Sequence, residues 1–130
     1  MAQSQMKTLL VDHTAGVLTI TLNRPEVRNA MSMDMVGELT DVLGGAEADP
    51  TVRVVVVRGN GGHFCAGGDI GDMAAARQKL ADNPNALAEV NAAFGELCVA
   101  FASTPLATVA VLEGTVMGGG FGLACVVDVA

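Results

Sequence analysis

The sequence is short of aromatic residues, basic residues and paired cysteines. Its 130 residues include no Trp, no Tyr and four Phe, and 7 Lys and Arg stand against 14 Asp and Glu, for a net charge of −7. Nucleic-acid binders need clustered basic side chains and often aromatic rings for base stacking, so we expect no nucleic-acid partner. The three cysteines form no CxxC pair and only two histidines accompany them, which argues against a disulfide scaffold or a metal site. Residues 1–5 have neither the basic nor the apolar region of a secretory signal, so we expect a cytoplasmic protein.

What the sequence does contain is apolar material for a buried core. Hydrophobic residues make up 51% and charged residues 16%, which excludes the disordered class. Residues 106–127 carry a single charge, Glu113, and by hydropathy alone resemble a membrane span. Five glycines and the central carboxylate oppose that interpretation, so we expect a buried strand, a turn at Gly114, a helix after Gly120 and no membrane partner.

Strand and helix patterns alternate along the chain. The patterns predict strands over residues 8–12 and 16–22, a helix from about Met31 to Gly44 and Gly45 with Ser32 or Asn29 as its cap, and a strand over 52–57 covered on both faces. Helices over 70–80 and 87–101, a strand over 107–112, the helix after Gly120 and a strand over 126–130 follow. This order predicts an α/β fold with largely parallel strand pairing.

Residues 126–130 read as the start of a buried strand, without a polar tail after it. No repeat and no linker composition marks a domain boundary. We therefore expect residues 1–130 to be the N-terminal portion of a single domain that is truncated at its C-terminus, and we expect this portion alone to be inactive.

Two glycine clusters each follow a predicted strand and precede a helix, an arrangement that aims free backbone N–H groups at one point. The cluster at 118–123 has Leu123 where a dinucleotide fingerprint ends in glycine, and no GxxxxGK[ST] motif occurs, so standard nucleotide binding is excluded. One interpretation is an oxyanion hole with one amide from each loop. The other is that the glycines only permit tight turns.

Three segments resemble the crotonase family of enoyl-CoA hydratases and isomerases. They are HFCAGGDI at 63–70, GTVMGGGFGLACVVD at 114–128 and LNRPEVRNAM at 22–31, and they occur in the family's order and spacing over almost the whole chain. The resemblance implies a ββα spiral core that binds acyl-CoA thioesters, with coenzyme A as part of the substrate and no other cofactor. It also implies a homotrimer or hexamer for the full-length protein.

The resemblance also assigns roles to particular residues. It makes the amides of Gly68 and Gly119 the oxyanion donors. Binding of coenzyme A is assigned to two short segments, which comprise Val27, Arg28, Ala66, Gly67, Asp69 and Ile70. For Arg28 a phosphate contact and a solvated surface role are equally open, and Asp69 is expected to cap the following helix rather than to do chemistry.

The chain departs from the family at the position of one catalytic residue. Hydratases of this family commonly carry a glutamate three residues after the second oxyanion glycine, and here that position is Gly122. Their second glutamate would lie about a dozen residues past Ala130. The resemblance still implies an enoyl-CoA hydratase, because many family members described as hydratases tolerate this change, and a branched or glutaconyl-type acyl group is one option. A single-base double-bond isomerase and a non-catalytic acyl-CoA-binding subunit are the alternatives. His63, Cys65 and Glu113 lie near the loops, and we expect structural roles for all three.

Overall fold

A computed structural model describes residues 2–130 and shows a five-stranded mixed sheet with helices packed on it. The strands are β1 (Ala2–Gln5), β2 (Leu9–Thr14), β3 (Val17–Leu22), β4 (Val54–Gly59) and β5 (Ala107–Ala110). The helices are α1 (Met33–Ala48), α2 (Ile70–Gln78), α3 (Ala86–Ser103) and α4 (Gly119–Val126), with 3₁₀ turns at Pro25–Val27 and Lys79–Ala81.

The strands lie in chain order across the sheet. β1, β2 and β3 pair antiparallel, whereas β3, β4 and β5 pair parallel, with Val17 opposite Val54 and Val57 opposite Ala110. The expectation of largely parallel pairing is thus correct for the second half of the sheet only. β1 was not predicted, because its polar sequence AQSQ carries no alternating apolar pattern and its pairing comes from the hairpin with β2.

One face of the sheet forms the core with α1 and α3. Ile20, Leu22, Val55 and Val57 are fully buried, in the alternation that a half-covered strand requires. Val54 and Val56 are only half-buried. The prediction of a β4 strand covered on both faces is therefore wrong within residues 2–130, because burial alternates along the strand.

Helix α1 runs through the glycine pair at which the sequence predicted its end. Ser32 caps its start, where its hydroxyl accepts a hydrogen bond from the Met35 amide at 3.1 Å. Gly44 and Gly45 stand on the exposed side with open space around them, while Ala46 is buried. The helix continues past the two exposed glycines because burial of its last turn outweighs their cost. It ends at Ala48, and Asp49, which precedes a proline, is its C-cap with extended backbone.

The segment 126–130 does not form the strand that the sequence predicted. Within residues 2–130 it makes one parallel bridge, Val109 to Val129, beside β5. The Asp128 carboxylate accepts hydrogen bonds from the Thr108 amide at 2.9 Å and from its hydroxyl at 3.3 Å. The Asp128 side chain therefore occupies the Thr108 amide, which a neighbouring strand would otherwise use, and regular strand pairing does not continue along β5.

Helix α3 is long and apolar enough to cross a membrane by length and composition, a criterion that core helices also meet. Its Leu97 and Phe101 are buried in the core. The span that the sequence raised, residues 106–127, is divided among β5, a loop and α4. The absence of a membrane partner stays a prediction.

Candidate active site

The site is built where the parallel strands end. The loop after β4 and the loop after β5 meet in a short parallel ladder, in which the Phe64 amide donates to the Glu113 carbonyl at 2.9 Å and the Cys65 amide donates to the Thr115 carbonyl at 3.1 Å. The Met117 amide returns a bond to the Cys65 carbonyl at 3.1 Å. The carboxyl ends of adjacent parallel strands lie at one edge of the sheet, so two loops distant in sequence form one structure.

The segment before α1 joins this ladder on its other side. The Ala66 amide donates to the Arg28 carbonyl at 3.0 Å, the Met31 amide donates to the Gly67 carbonyl at 2.6 Å, and the Asp69 amide donates to the Met31 carbonyl at 3.1 Å. The segment 63–70 is thereby hydrogen-bonded to both of the other segments that carried the family resemblance.

Glycines allow the two loops to touch at the start of α4. Gly67 has φ +110° and is buried, and a Cβ there would lie 3.2 Å from the Met117 carbonyl oxygen. A Cβ on Gly120 would lie 2.5 Å from the Cys65 carbonyl oxygen, a distance that side chains do not adopt. The glycines are therefore required both for the turns and for the close approach of α4 to the first loop.

Three backbone N–H groups in the cavity wall are left without partners at this junction. Among residues 2–130, the amides of Gly68, Gly118 and Gly119 donate no hydrogen bond, and all three residues line the same cavity of about 430 Å³. Gly119 is the first residue of α4, so the positive end of the helix dipole lies at the same place. A cavity with unused donors from different loops fits a carbonyl oxygen that gains negative charge.

Apolar side chains wall the rest of the cavity. They come from the start of α1, from α2 and from α3, and they are Met31, Met33, Val36, Met73, Val90 and Phe94. Asp69, Asp72 and Asn91 supply the polar side chains of the wall. Sequence reasoning missed this wall because Val90 and Phe94 lie on the same helical stripe as the core residue Leu97, and periodicity alone does not separate a core from a pocket lining.

The position of the family's glutamate is apolar here. A Cβ on Gly122 would lie 3.6 Å from the Phe94 ring, and a Cβ on Gly119 would lie 3.2 Å from the same ring. Phe94 therefore packs over the first turn of α4. Gly122 contributes no proton-donating or proton-accepting side chain to the site.

Asp69 caps helix α2, as predicted. Its Oδ1 accepts a hydrogen bond from the Asp72 amide at 2.9 Å, and its Oδ2 lies 3.0 Å from the guanidinium of Arg24. The hydrogen bond from the Asp72 amide, followed by the Arg24 guanidinium, holds the pKa of Asp69 below its usual value. Arg24 was not singled out from the sequence, where a basic residue before Pro25 carries no signal of an ion pair with residue 69.

Of the proposed coenzyme A residues, only Asp69 lines the cavity, and the others lie outside its wall. Arg28 is exposed, with φ +50°, and Val27 is 40% exposed. Ala66 is half-buried beside Arg28, whereas the Ile70 side chain is 83% exposed at the start of α2. The structure thus brings Arg28 and Ala66 together at the surface, and contact of any of these residues with coenzyme A stays a prediction.

The three nearby reactive side chains occupy structural positions. Nδ1 of His63 accepts a hydrogen bond from the Thr115 amide at 2.8 Å, so this nitrogen is occupied in holding the second loop. Cys65 is fully buried, and burial raises the pKa of its thiol, which disfavours the nucleophilic thiolate. Glu113 is exposed and contributes its carbonyl to the ladder. Among residues 2–130, no three His, Cys, Asp or Glu side chains gather in a way that could hold a metal ion.

Comparison with known proteins identifies the family. Residues 12–130 match the family model of enoyl-CoA hydratase/isomerase, and the chain belongs to this family, the crotonase superfamily. The fold agrees: the solved structure of Pseudomonas aeruginosa AtuE superposes with a TM-score of 0.88 and 55% identity, over 94% of this chain and 46% of that one. An enoyl-CoA hydratase/isomerase from Marinobacter aquaeolei gives a TM-score of 0.86 and 46% identity, over 95% of this chain and 47% of its own.

Relatives of known name include two different activities. 3-Hydroxyisobutyryl-CoA hydrolase 1 of Arabidopsis thaliana is 37% identical over 94% of this chain and 31% of its own length. Enoyl-CoA hydratase AFT6-1 of Alternaria alternata is 36% identical over 88% of this chain and 36% of its own length. The chain thus spans about a third of the length of these relatives and about half of the solved structures. That residues 1–130 are one portion of a single domain stays a prediction, which the intact mass of the protein from its native source tests.

Proposed function

We propose that this chain supplies the acyl-CoA-binding and oxyanion-stabilising part of an enoyl-CoA hydratase. The observation that carries the proposal is the pair of unpartnered amides, Gly68 and Gly119, in the wall of one cavity. Membership of a family whose named relatives act on CoA thioesters supports it.

In this proposal the thioester carbonyl oxygen binds between the two amides. When water adds to the β-carbon, the electrons of the double bond move toward the thioester carbonyl, which becomes an enolate oxygen. Both N–H groups and the α4 dipole stabilise its charge until the α-carbon takes up a proton. The acyl chain occupies the cavity lined by Met31, Val90 and Phe94, while coenzyme A extends past Ala66 and Arg28. The amides are held by backbone bonds before substrate arrives, so they need little reorganisation.

The identity of the acid and base determines which reaction follows the enolate. Hydration requires a proton at the α-carbon and an activated water at the β-carbon, whereas a double-bond shift requires one base. Gly122 offers no carboxylate, and this observation favours the isomerase as the second candidate. The same observation leaves open a subunit that binds acyl-CoA without turnover.

Three assays on the protein expressed from its native gene separate these candidates. A hydratase removes the absorbance of the conjugated enoyl thioester when given crotonyl-CoA. An isomerase instead generates that absorbance from a β,γ-unsaturated acyl-CoA. A binding subunit gives saturable binding of either thioester with no absorbance change, and absence of binding overturns all three candidates.

We also propose that the protein forms a trimer or hexamer in the cytoplasm. Large apolar side chains on and before α4 support an assembly, since Met117 is 61% and Phe121 is 60% exposed. Sedimentation of the native protein tests this proposal, and a monomer at micromolar concentration would contradict it.

A further inference from the structure

An ion pair lies beside the Gly68 amide. The Arg24 guanidinium is 3.0 Å from Asp69, and the two side chains are only 22% and 18% exposed. The same guanidinium nitrogen donates to the Ala30 carbonyl at 2.5 Å. Arg24 therefore connects the residue that follows Gly68 to the segment that precedes α1.

Backbone bonds to Met31 bracket Gly68 on both sides. The Met31 amide donates to the Gly67 carbonyl at 2.6 Å, and the Met31 carbonyl accepts from the Asp69 amide at 3.1 Å. Gly68 has no side chain to anchor it, so the direction of its N–H depends on these two bonds. Arg24 contacts Ala30, which precedes Met31, and Asp69, which follows Gly68. It therefore joins the two segments that these backbone bonds hold together.

Asp69 divides its two oxygens between Arg24 and helix α2. One oxygen pairs with Arg24 and the other accepts from the Asp72 amide at 2.9 Å. The carboxylate thus joins the loop that carries Gly68 to two rigid elements, the Arg24 turn and the start of α2. An ionised partner makes both hydrogen bonds stronger than neutral ones.

We propose that Arg24 is a positioning residue for the Gly68 oxyanion donor, acting through its ion pair with Asp69 and its bond to the Ala30 carbonyl. The inference rests on the proposed function and adds to it a residue that sets the direction of one donor. An oxyanion donor must lie at hydrogen-bond distance from the reacting oxygen, and displacements of about 1 Å cost rate about 100-fold. Loss of Arg24 should therefore lower kcat rather than the affinity for substrate.

Four variants expressed from the native gene test the inference. Arg24→Met removes the charge and the donors, Arg24→Lys keeps a charge and a donor, and Asp69→Asn keeps the acceptor that caps α2. We expect Arg24→Met to lower kcat for crotonyl-CoA about 10- to 100-fold with KM changed less than about threefold, and Arg24→Lys to restore part of the loss. The double variant Arg24→Met/Asp69→Asn should be no slower than Arg24→Met, because both changes break one pair. Arg53→Met is the matched control, since Arg53 is exposed and precedes β4 at the end of the sheet opposite to the site.

The carbonyl stretching frequency of bound crotonyl-CoA, read by Raman difference spectroscopy, separates positioning from folding. We expect the wild type and Arg53→Met to lower this frequency strongly relative to free crotonyl-CoA, and Arg24→Met to lower it less at unchanged occupancy. If Arg24→Met does not fold, Arg24→Lys and Asp69→Asn carry the same comparison. Wild-type kcat and wild-type frequency in these variants overturn the inference and leave the proposed function intact. A wild type that neither turns over nor shifts the carbonyl overturns the proposed function and, with it, this inference.

Discussion

Replacement of Gly119 by proline removes one oxyanion donor while leaving helix α4 in place. Gly119 is the first helical residue, and its N–H makes no hydrogen bond within residues 2–130. Proline is favoured at this position because its fixed φ suits the first turn and its missing N–H costs no intrahelical bond. Gly118 before it has φ +52° and ψ −124°, the mirror image of the extended backbone that residues before proline prefer, and glycine adopts both hands.

The matched variant Gly119→Ala controls for the Cβ that both substitutions add. A Cβ at position 119 would lie 3.2 Å from the Phe94 ring, a contact that alanine and proline both create. The difference in kcat between the two variants therefore reports the loss of the N–H donor together with the proline Cδ that replaces its hydrogen. Loss of one preorganised donor lowers kcat about 10² to 10³-fold, which corresponds to about 3 to 4 kcal/mol of transition-state stabilisation.

The assay follows the absorbance of crotonyl-CoA under steady-state conditions, with thermal unfolding of each variant as the measure of intact fold. We expect Gly119→Ala to lower kcat modestly. We expect Gly119→Pro to have a kcat about 10² to 10³-fold below that of Gly119→Ala, at a similar melting temperature. If Gly119→Pro turns over within about threefold of Gly119→Ala, the Gly119 amide is not an oxyanion donor.

Three further predictions concern stability and reactivity. Asn29 is fully buried, accepts a hydrogen bond from the Arg24 amide at 2.8 Å and donates to two carbonyls of the loop after β4, at 3.0 and 2.8 Å. Asn29→Ala should therefore lower the free energy of unfolding in urea by about 2 to 3 kcal/mol, and a change below about 0.5 kcal/mol would contradict this role. Gly114→Ala drives a Cβ into the Gly62 carbonyl oxygen at φ +54° and should destabilise the protein by about 2 kcal/mol or more. The control Gly45→Ala, in open helical space, should stabilise it by about 0.5 to 1 kcal/mol, and the reverse order would refute the backbone argument. Burial raises the pKa of the Cys65 thiol, whereas Cys125 is exposed. A thiol reagent at neutral pH should therefore modify Cys125 first and Cys65 only on unfolding. Equal rates of modification in the folded protein would show that Cys65 is accessible.

Local sequence patterns were enough for most elements and for the position of both glycine loops. The apolar alternation of β3 and the continuous run of β4 identified two strands that do pair in parallel. Side-chain caps act on amides two or three residues away, so sequence can propose them. Of the two candidates for α1, Ser32 is the cap and Asn29 bonds elsewhere, and Asp69 caps α2 as expected. The predicted end of α1, at Gly44 and Gly45, was wrong. The low helix propensity of glycine is a weak local preference, and burial of Ala46 overrides it.

The family resemblance named Gly68 and Gly119, but only the tertiary structure places both in the wall of one cavity and leaves both amides unpartnered. The tertiary structure also decides which apolar residues line that cavity. Phe94 and Leu97 share one helical stripe, yet Phe94 lines the cavity and Leu97 is buried in the core. The Arg24 to Asp69 pair joins residues far apart in sequence, and no periodicity encodes such a contact. Composition and local pattern by themselves determined that the chain buries a core, alternates strands with helices and carries two glycine loops, since these depend on neighbouring residues. The site depends on where three loops meet, and that is decided by the order and direction of the strands that carry them.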